Sequence, residues 1–269
     1  MATPGPDTAR YGGNTSCVSV RGREGTVLVL DAGTGIRRMA ATLDRSVRRV
    51  DVLLTHLHMD HIQGLGFFGP LYHSNVDVHI WGPASTRMCL QARLMRYLSP
   101  PLFPVSLREL PCKLTFHEVP RGEVDIGEFR VNSALVCHPG PTVGYRICDA
   151  TEKVLTYLPD HEPALGAGTF PSLPRAWTSG GILAEESDLL IHDSQYATHE
   201  YLGRVGWGHS SLKQVLDFGT LTGVKHLVPF HHDPDHSDDA LDLLMAEGIE
   251  EAKPAYRVTA GREGATFEL

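Results

Sequence analysis

Four side chains able to hold a metal, His56, His58, Asp60 and His61, fall within six residues of Thr55-His56-Leu57-His58-Met59-Asp60-His61. They directly follow the apolar run Val50-Asp51-Val52-Leu53-Leu54, which reads as a buried strand, so the cluster sits where a strand gives way to a loop. Imidazole and carboxylate together suit zinc, manganese or iron. A mononuclear site needs only three or four protein ligands, and this segment nearly supplies them alone. Further candidate ligands downstream therefore point to two divalent metal ions side by side, zinc first among them, with Mn or Fe next. The chain holds 15 histidines, so a chance cluster is the competing reading. A His-x-His-x-Asp-His pattern at a strand end is too specific for that.

The elements that must position this cluster are legible in outline. Strands are expected within residues 17–31 and at 50–55, 76–81, 113–119, 128–137, 143–148, 153–158, 188–192 and 224–230. Helical spacing covers 85–98, with Ser85 as N-cap, 211–222, and 237–248 capped by Ser237. A glycine-broken helix begins at 62, a Pro- and Gly-rich loop spans 161–181, and 256–269 reads as a closing hairpin. Strands thus come in two groups, each followed by helices, which predicts an α/β four-layer αββα sandwich. Neither a repeat nor a linker divides the chain, so residues 1–269 are expected to form a single domain.

Composition narrows the function. Net charge is −8, from 24 Lys and Arg against 32 Asp and Glu, and no basic stripe is evident. A protein that grips long polyanions usually carries one, so nucleic acid is an unlikely partner and a small phosphodiester the expected substrate. No apolar run approaches membrane-spanning length, and Met1-Ala2-Thr3-Pro4-Gly5-Pro6 lacks the basic and hydrophobic parts of a signal peptide. The five cysteines form no C-x-x-C pair and read as reduced thiols, which suits a cytoplasmic location.

The motif and its surroundings resemble the metallo-β-lactamase superfamily, in the branch of ribonuclease Z and the phosphoribosyl cyclic phosphodiesterases. The segments carrying the resemblance occur in the family's order. They are Tyr11-Gly12-Gly13-Asn14-Thr15-Ser16-Cys17, Leu28-Val29-Leu30-Asp31-Ala32-Gly33-Thr34-Gly35, the histidine motif, Cys137-His138-Pro139 before Val143-Gly144-Tyr145-Arg146-Ile147, Thr156-Tyr157-Leu158-Pro159-Asp160, Gly208-His209-Ser210-Ser211 and Leu227-Val228-Pro229-Phe230-His231. The resemblance implies that His56, His58 and His138 hold one metal, that Asp60, His61 and His231 hold a second, and that Asp160 bridges them. Three neutral imidazoles leave an open position for water, and a hydroxide shared by two cations is a strong nucleophile at neutral pH. Asp60 would both ligate and orient that hydroxide, while Asp31 would brace the loop. Relatives also begin with a further strand ahead of the segment matching Thr3-Pro4-Gly5-Pro6. Its absence would leave a sheet edge unpaired, which invites a homodimer or lowers stability.

Other residues carry competing readings. Asp193 competes with Asp160 for the bridge and otherwise reads as a support for the ligands or a substrate contact. His232 adjoins His231, but the two cannot point the same way from one strand. His209 is the expected general acid or phosphate contact, against the alternative that it caps the next helix. Tyr145 and Arg146 read either as substrate contacts or as ordinary strand residues, and 98–104 as a lid or wall over a small pocket.

The function expected is therefore a dinuclear-metal phosphodiesterase acting on a small, cyclic phosphate ester, with Asp60 and His209 catalytic. The alternatives are ribonuclease Z-like processing of tRNA, lactone or β-lactam hydrolysis, and a non-catalytic metal-binding signalling domain.

Overall fold

β-Branched and leucine-rich runs close into two sheets stacked face to face in the computed structural model, which describes residues 1–120, 122–165 and 174–269. The first sheet has the order β1-β2-β3-β4-β5, built from Val18–Arg21, Val27–Leu30, Arg49–Leu53, Asp77–Pro83 and Lys113–Val119. The second has the order β12-β11-β10-β9-β8-β7-β6. Its strands are β6 Val124–Ile126, β7 Phe129–Leu135, β8 Val143–Cys148, β9 Val154–Leu158, β10 Leu189–Asp193, β11 His226–Phe230 and β12 Arg257–Val258. Each sheet comes from one continuous stretch of chain. Strands β2 to β5 run parallel to their neighbours, as do β9 to β12, while β1 and β6 to β8 pair antiparallel.

Alternation along the strands sorts the apolar side chains into three layers. Leu28, Leu30, Leu53 and Trp81 point between the sheets and meet Tyr145, Tyr157, Ile191 and Val228. Their neighbours Val29, Val50, Val52, Val78 and Ile80 face the other way, onto the helical cover of the first sheet. Both faces of these parallel strands are covered, so β2 is buried throughout and shows no polar alternation. Behind the second sheet, Leu158, Leu190 and Leu227 pack on Leu212, Val215 and Phe218 of the helix Leu212–Thr222 and on Met245. The result is the expected four-layer αββα sandwich.

The seven α-helices among the described residues are α1 Ile36–Ala40, α2 Met59–Ile62, α3 Leu90–Met95, α4 Gly181–Ala184, α5 Thr198–Tyr201, α6 Leu212–Thr222 and α7 Asp238–Ala252. Ser211 and Ser237 cap α6 and α7 by accepting the amides of Gln214 and Ala240. None of the helices is long and apolar enough to cross a membrane.

Three expectations fail locally. The helix over 85–98 shrinks to α3, with Cys89 and not Ser85 at its N-cap, because the Glu118 carboxylate of the neighbouring strand takes the Leu90 amide at 2.8 Å. The closing hairpin does not form, because Thr259 and Gly261 donate to Leu227 and Pro229 and lay the chain parallel along β11. The segment 98–104 forms no lid. Leu98 and Phe103 sink into the outer core of the first sheet, and the Tyr97 hydroxyl donates to Gln63 O at 2.6 Å beside α2.

Candidate metal centre

The histidine loop leaves the C-terminal end of β3 and turns into α2, with His58 at the N-cap. Asp31 fixes that turn. Fully buried and at a φ of 59°, it accepts the Thr55 amide at 2.7 Å and the Thr55 hydroxyl at 2.9–3.0 Å. It also accepts His61 Nδ1–H at 2.8 Å and the Tyr157 hydroxyl at 3.1 Å, which ties the loop to the second sheet. The bracing role expected of Asp31 is the one it has.

Two ligand groups assemble around Asp160, which follows β9 and is 2 % exposed. His56, His58, His138 and Asp160 offer donor atoms all within 4.8 Å of one another, as do Asp60, His61 and His231. Asp160 Oδ1 lies 2.9 Å from His61 Nε2 and 3.4 Å from His231 Nε2, whereas Oδ2 lies 3.6 Å from His56 Nε2 and 3.7 Å from His138 Nε2. One oxygen thus faces each group. All seven residues singled out as ligands converge here.

Hydrogen bonds fix which nitrogen each ring presents. Thr55 gives its hydroxyl proton to Asp31, so it accepts from His56 Nδ1 at 3.1 Å. His61 Nδ1 donates to Asp31, His138 Nδ1 to Gly208 O at 2.8 Å, and His231 Nδ1 to Gln195 Oε1 at 3.2 Å. Gln195 in turn reaches Asp233 at 3.4 Å. Each of these rings therefore aims an Nε2 lone pair inward. His58 is reversed, its Nδ1 standing 3.2 Å from His138 Nε2. His56 Nε2 is buried without a hydrogen-bond partner, and the buried His61 Nε2 and Asp160 Oδ1, 2.9 Å apart, face only each other. Buried orphan acceptors are costly, and divalent cations are the groups that would satisfy this set.

The electrostatics agree. Burial, followed by the neighbouring His61 imidazole, holds His56 well below the usual histidine range, and burial lowers His58 and His138 too. These rings are kept neutral, as ligands must be. Burial opposes the charge on Asp160, yet His231, His61 and His56 outweigh it and pull its carboxyl well down. His61 goes the other way: burial is outweighed by Asp160 and Asp31, and its pKa rises well above the ordinary value. A metal ion would compete with that proton for Nε2, so metal uptake should release a proton and tighten with rising pH.

His209 stands at the edge of this cluster. Its Nδ1 is 2.6 Å from Asp193 Oδ2, its Nε2 is 3.9 Å from Asp160 Oδ2, and its ring stacks on His231 with centroids 5.1 Å apart. It also shares a possible ligand group with Asp160 and His231. The cap of α6 is Ser211, so the helix-cap reading of His209 does not hold. Burial disfavours its charge, but Asp193, then Asp160 and Asp60, override this and raise it to about 9. In the metal-free protein this pair therefore adds stability that is complete below about 6.5 and is lost as pH rises through about 9. Imidazole NMR titration of metal-free Asp193→Asn should find the His209 pKa well below that of the parent. An unchanged value would mean that Asp193 does not hold the charge.

Asp193 also accepts the amides of His161, Gln195 and Ser210, and belongs to neither ligand group beside Asp160. Other candidates turn away. His232 Nε2 donates to Gly261 O and its ring packs on Tyr11. His192 is buried between Asp193 O and His161. The Tyr145 hydroxyl donates to Leu54 O between the sheets, and Arg146 donates to Leu183 O and Glu185 O, so both are strand residues serving the fold. Sequence reasoning missed Thr55, Gln195, Asp233 and Glu162 as supports of the site. Only Glu162 carried a signal, as a carboxylate two residues beyond Asp160.

The family described as Beta-lactamase superfamily domain matches residues 26–232. A ribonuclease Z from Gemmatimonas aurantiaca is 26% identical over 289 aligned positions, which cover 92% of this chain and 88% of that protein. The human short-form tRNase Z has a TM-score of 0.63 at 22% identity, over 87% of this chain and 90% of its own. A diphosphatase from the PhnP family also reaches a TM-score of 0.63, at 16% identity, over 95% of this chain and 84% of its own. The fold, the order of the motifs and the family match agree: the chain belongs to the metallo-β-lactamase superfamily.

Proposed function

We propose that this protein is a metal-dependent phosphodiester hydrolase with a two-metal centre. The observation that carries the reading is Asp160, buried with one oxygen toward each ligand group. Two divalent ions held by His56, His58, His138 and Asp160, and by Asp60, His61, His231 and Asp160, would neutralise phosphoryl oxygens and acidify water. The protein's own part is positioning and proton delivery. His209, its Nδ1 held 2.6 Å from Asp193 Oδ2, would give its Nε2 proton to the departing alkoxide. Asp60, half-buried beside His231 at 3.5 Å, orients the attacking water.

For the substrate, the relatives shift the weight. Sequence composition weighed against a long polyanion and the resemblance suggested a small cyclic ester, but proteins aligned along most of this chain are named ribonuclease Z, which supports an RNA end as the scissile ester. The net charge of −8 is the observation that keeps the small cyclic ester as a second reading.

Protein isolated without chelator should hold about two transition-metal ions per chain. Elemental analysis that finds one or fewer after zinc or manganese reconstitution contradicts the two-metal centre. The loaded protein should cleave bis-nitrophenyl phosphate. A precursor tRNA and a cyclic nucleotide, compared by kcat/KM, then decide between the substrates, while turnover of a lactone alone would refute the phosphodiesterase reading.

A further inference from the structure

We propose that Glu162 is a positioning residue for the first ligand group, acting through the loop 203–209 on His138; this rests on the two-metal reading above. Glu162 is a buried carboxylate, 1 % exposed. Its oxygens accept the Tyr201 hydroxyl at 2.7 Å, the Gly206 amide at 3.0 and 3.1 Å, and the Gly208 amide at 2.8 Å. Its own amide donates to Cys137 O at 2.9 Å, the residue before His138. The partners on its carboxylate are neutral donors, and two of them are backbone groups of a single loop.

That loop lies directly against the His138 ring. A Cβ at Gly208 would come within 2.3 Å of His138 Nδ1, and Gly206 and Gly208 both adopt the left-handed region, at φ values of 86° and 87°. Only glycine takes this path at no steric cost. Gly208 then faces two ways, with its amide on Glu162 and its carbonyl accepting His138 Nδ1–H at 2.8 Å. The carboxylate anchors the loop, the loop aims one carbonyl, and that carbonyl keeps the proton of His138 on Nδ1 so that Nε2 is free to ligate. The second group is held otherwise, His61 by Asp31 and His231 by Gln195. Glu162 therefore acts on one metal position and not on the other.

Glu162→Gln tests this. A carboxamide has one acceptor oxygen, so its NH2 must confront the Gly206 or the Gly208 amide. Zinc titration against a competing chelator, followed by imidazole nitrogen NMR of His138 and His61, reads the two positions separately. Zinc affinity at the His138 position should fall about 10–100-fold while the His61 position stays within about twofold. An equal loss at both positions, or no loss at either, overturns the assignment. Tyr201→Phe, which leaves both carboxylate oxygens on the loop amides, should keep both affinities within about twofold of the parent. A loss as large as that of Glu162→Gln would place the effect in loop packing and overturn the proposal. If Glu162→Gln does not fold, Glu162→Asp gives the same comparison, with a smaller loss confined to the His138 position. None of these measurements needs turnover. A parent protein that cleaves no phosphodiester, together with a selective loss in Glu162→Gln, refutes the function and leaves the role of Glu162 standing.

Discussion

Replacing Asp160 with alanine is expected to remove at least one metal and to lower turnover well beyond the ~10–100-fold typical of lost supporting contacts. The carboxylate is buried among five imidazoles, with one oxygen toward His61 and His231 and the other toward His56, His138 and His209. Alanine leaves those lone pairs facing each other without an anion between them, and two cations at such a spacing would repel without screening. Asp160→Asn separates charge from volume. It keeps the shape but supplies one neutral acceptor, so it should resemble alanine in metal content. Asp193→Ala is the contrast, because Asp193 touches His209 and loop amides, and it should keep both metals. Elemental analysis of the three variants decides the matter. Full metal content in Asp160→Ala with loss in Asp193→Ala would assign the bridge to the wrong carboxylate.

The second large effect concerns His209. If its Nε2 protonates the leaving group, His209→Ala should retain its fold and its metals. Its rate should fall by roughly two to four orders of magnitude on an ester with an alkoxide leaving group. The loss should be much smaller with a nitrophenyl ester, which departs without a proton. Equal losses on both substrates would place His209 in binding. Loss of a metal would make it a ligand, as its proximity to Asp160 and His231 allows.

The reading that sequence permits is good where chemistry is local and poor where it is not. The first four candidate ligands fall within six residues and follow an apolar strand, so His56, His58, Asp60 and His61 declare themselves. His138, Asp160 and His231 were placed by family order, and each sits just beyond a strand of the second sheet, where parallel strands deliver their ends to one edge. The supports were not legible. Gln195 meets His231 across 36 residues, and Glu162 meets Gly208 across 46, so no spacing rule brings them together. Asp31 lies 30 residues from His61 and was foreseen only because its turn matched a known segment. The failed elements have a similar cause. Helical periodicity at 85–98 carries no information about Glu118, which ends up bonded to the Leu90 amide.

Each sheet is built from its own continuous stretch of chain, and the ligands are divided between them. His56, His58, Asp60 and His61 come with the first sheet, and His138, Asp160 and His231 with the second. Neither half would complete a coordination group alone, so metals would bind only after the halves have docked. They would then act as a clasp on assembly as well as reagents, because a ligand present at a thousandfold its Kd adds about 4 kcal/mol to the folded state. A chelator should accordingly do more than silence the protein. It should quicken the parting of the two sheets and shorten the lifetime of the native chain.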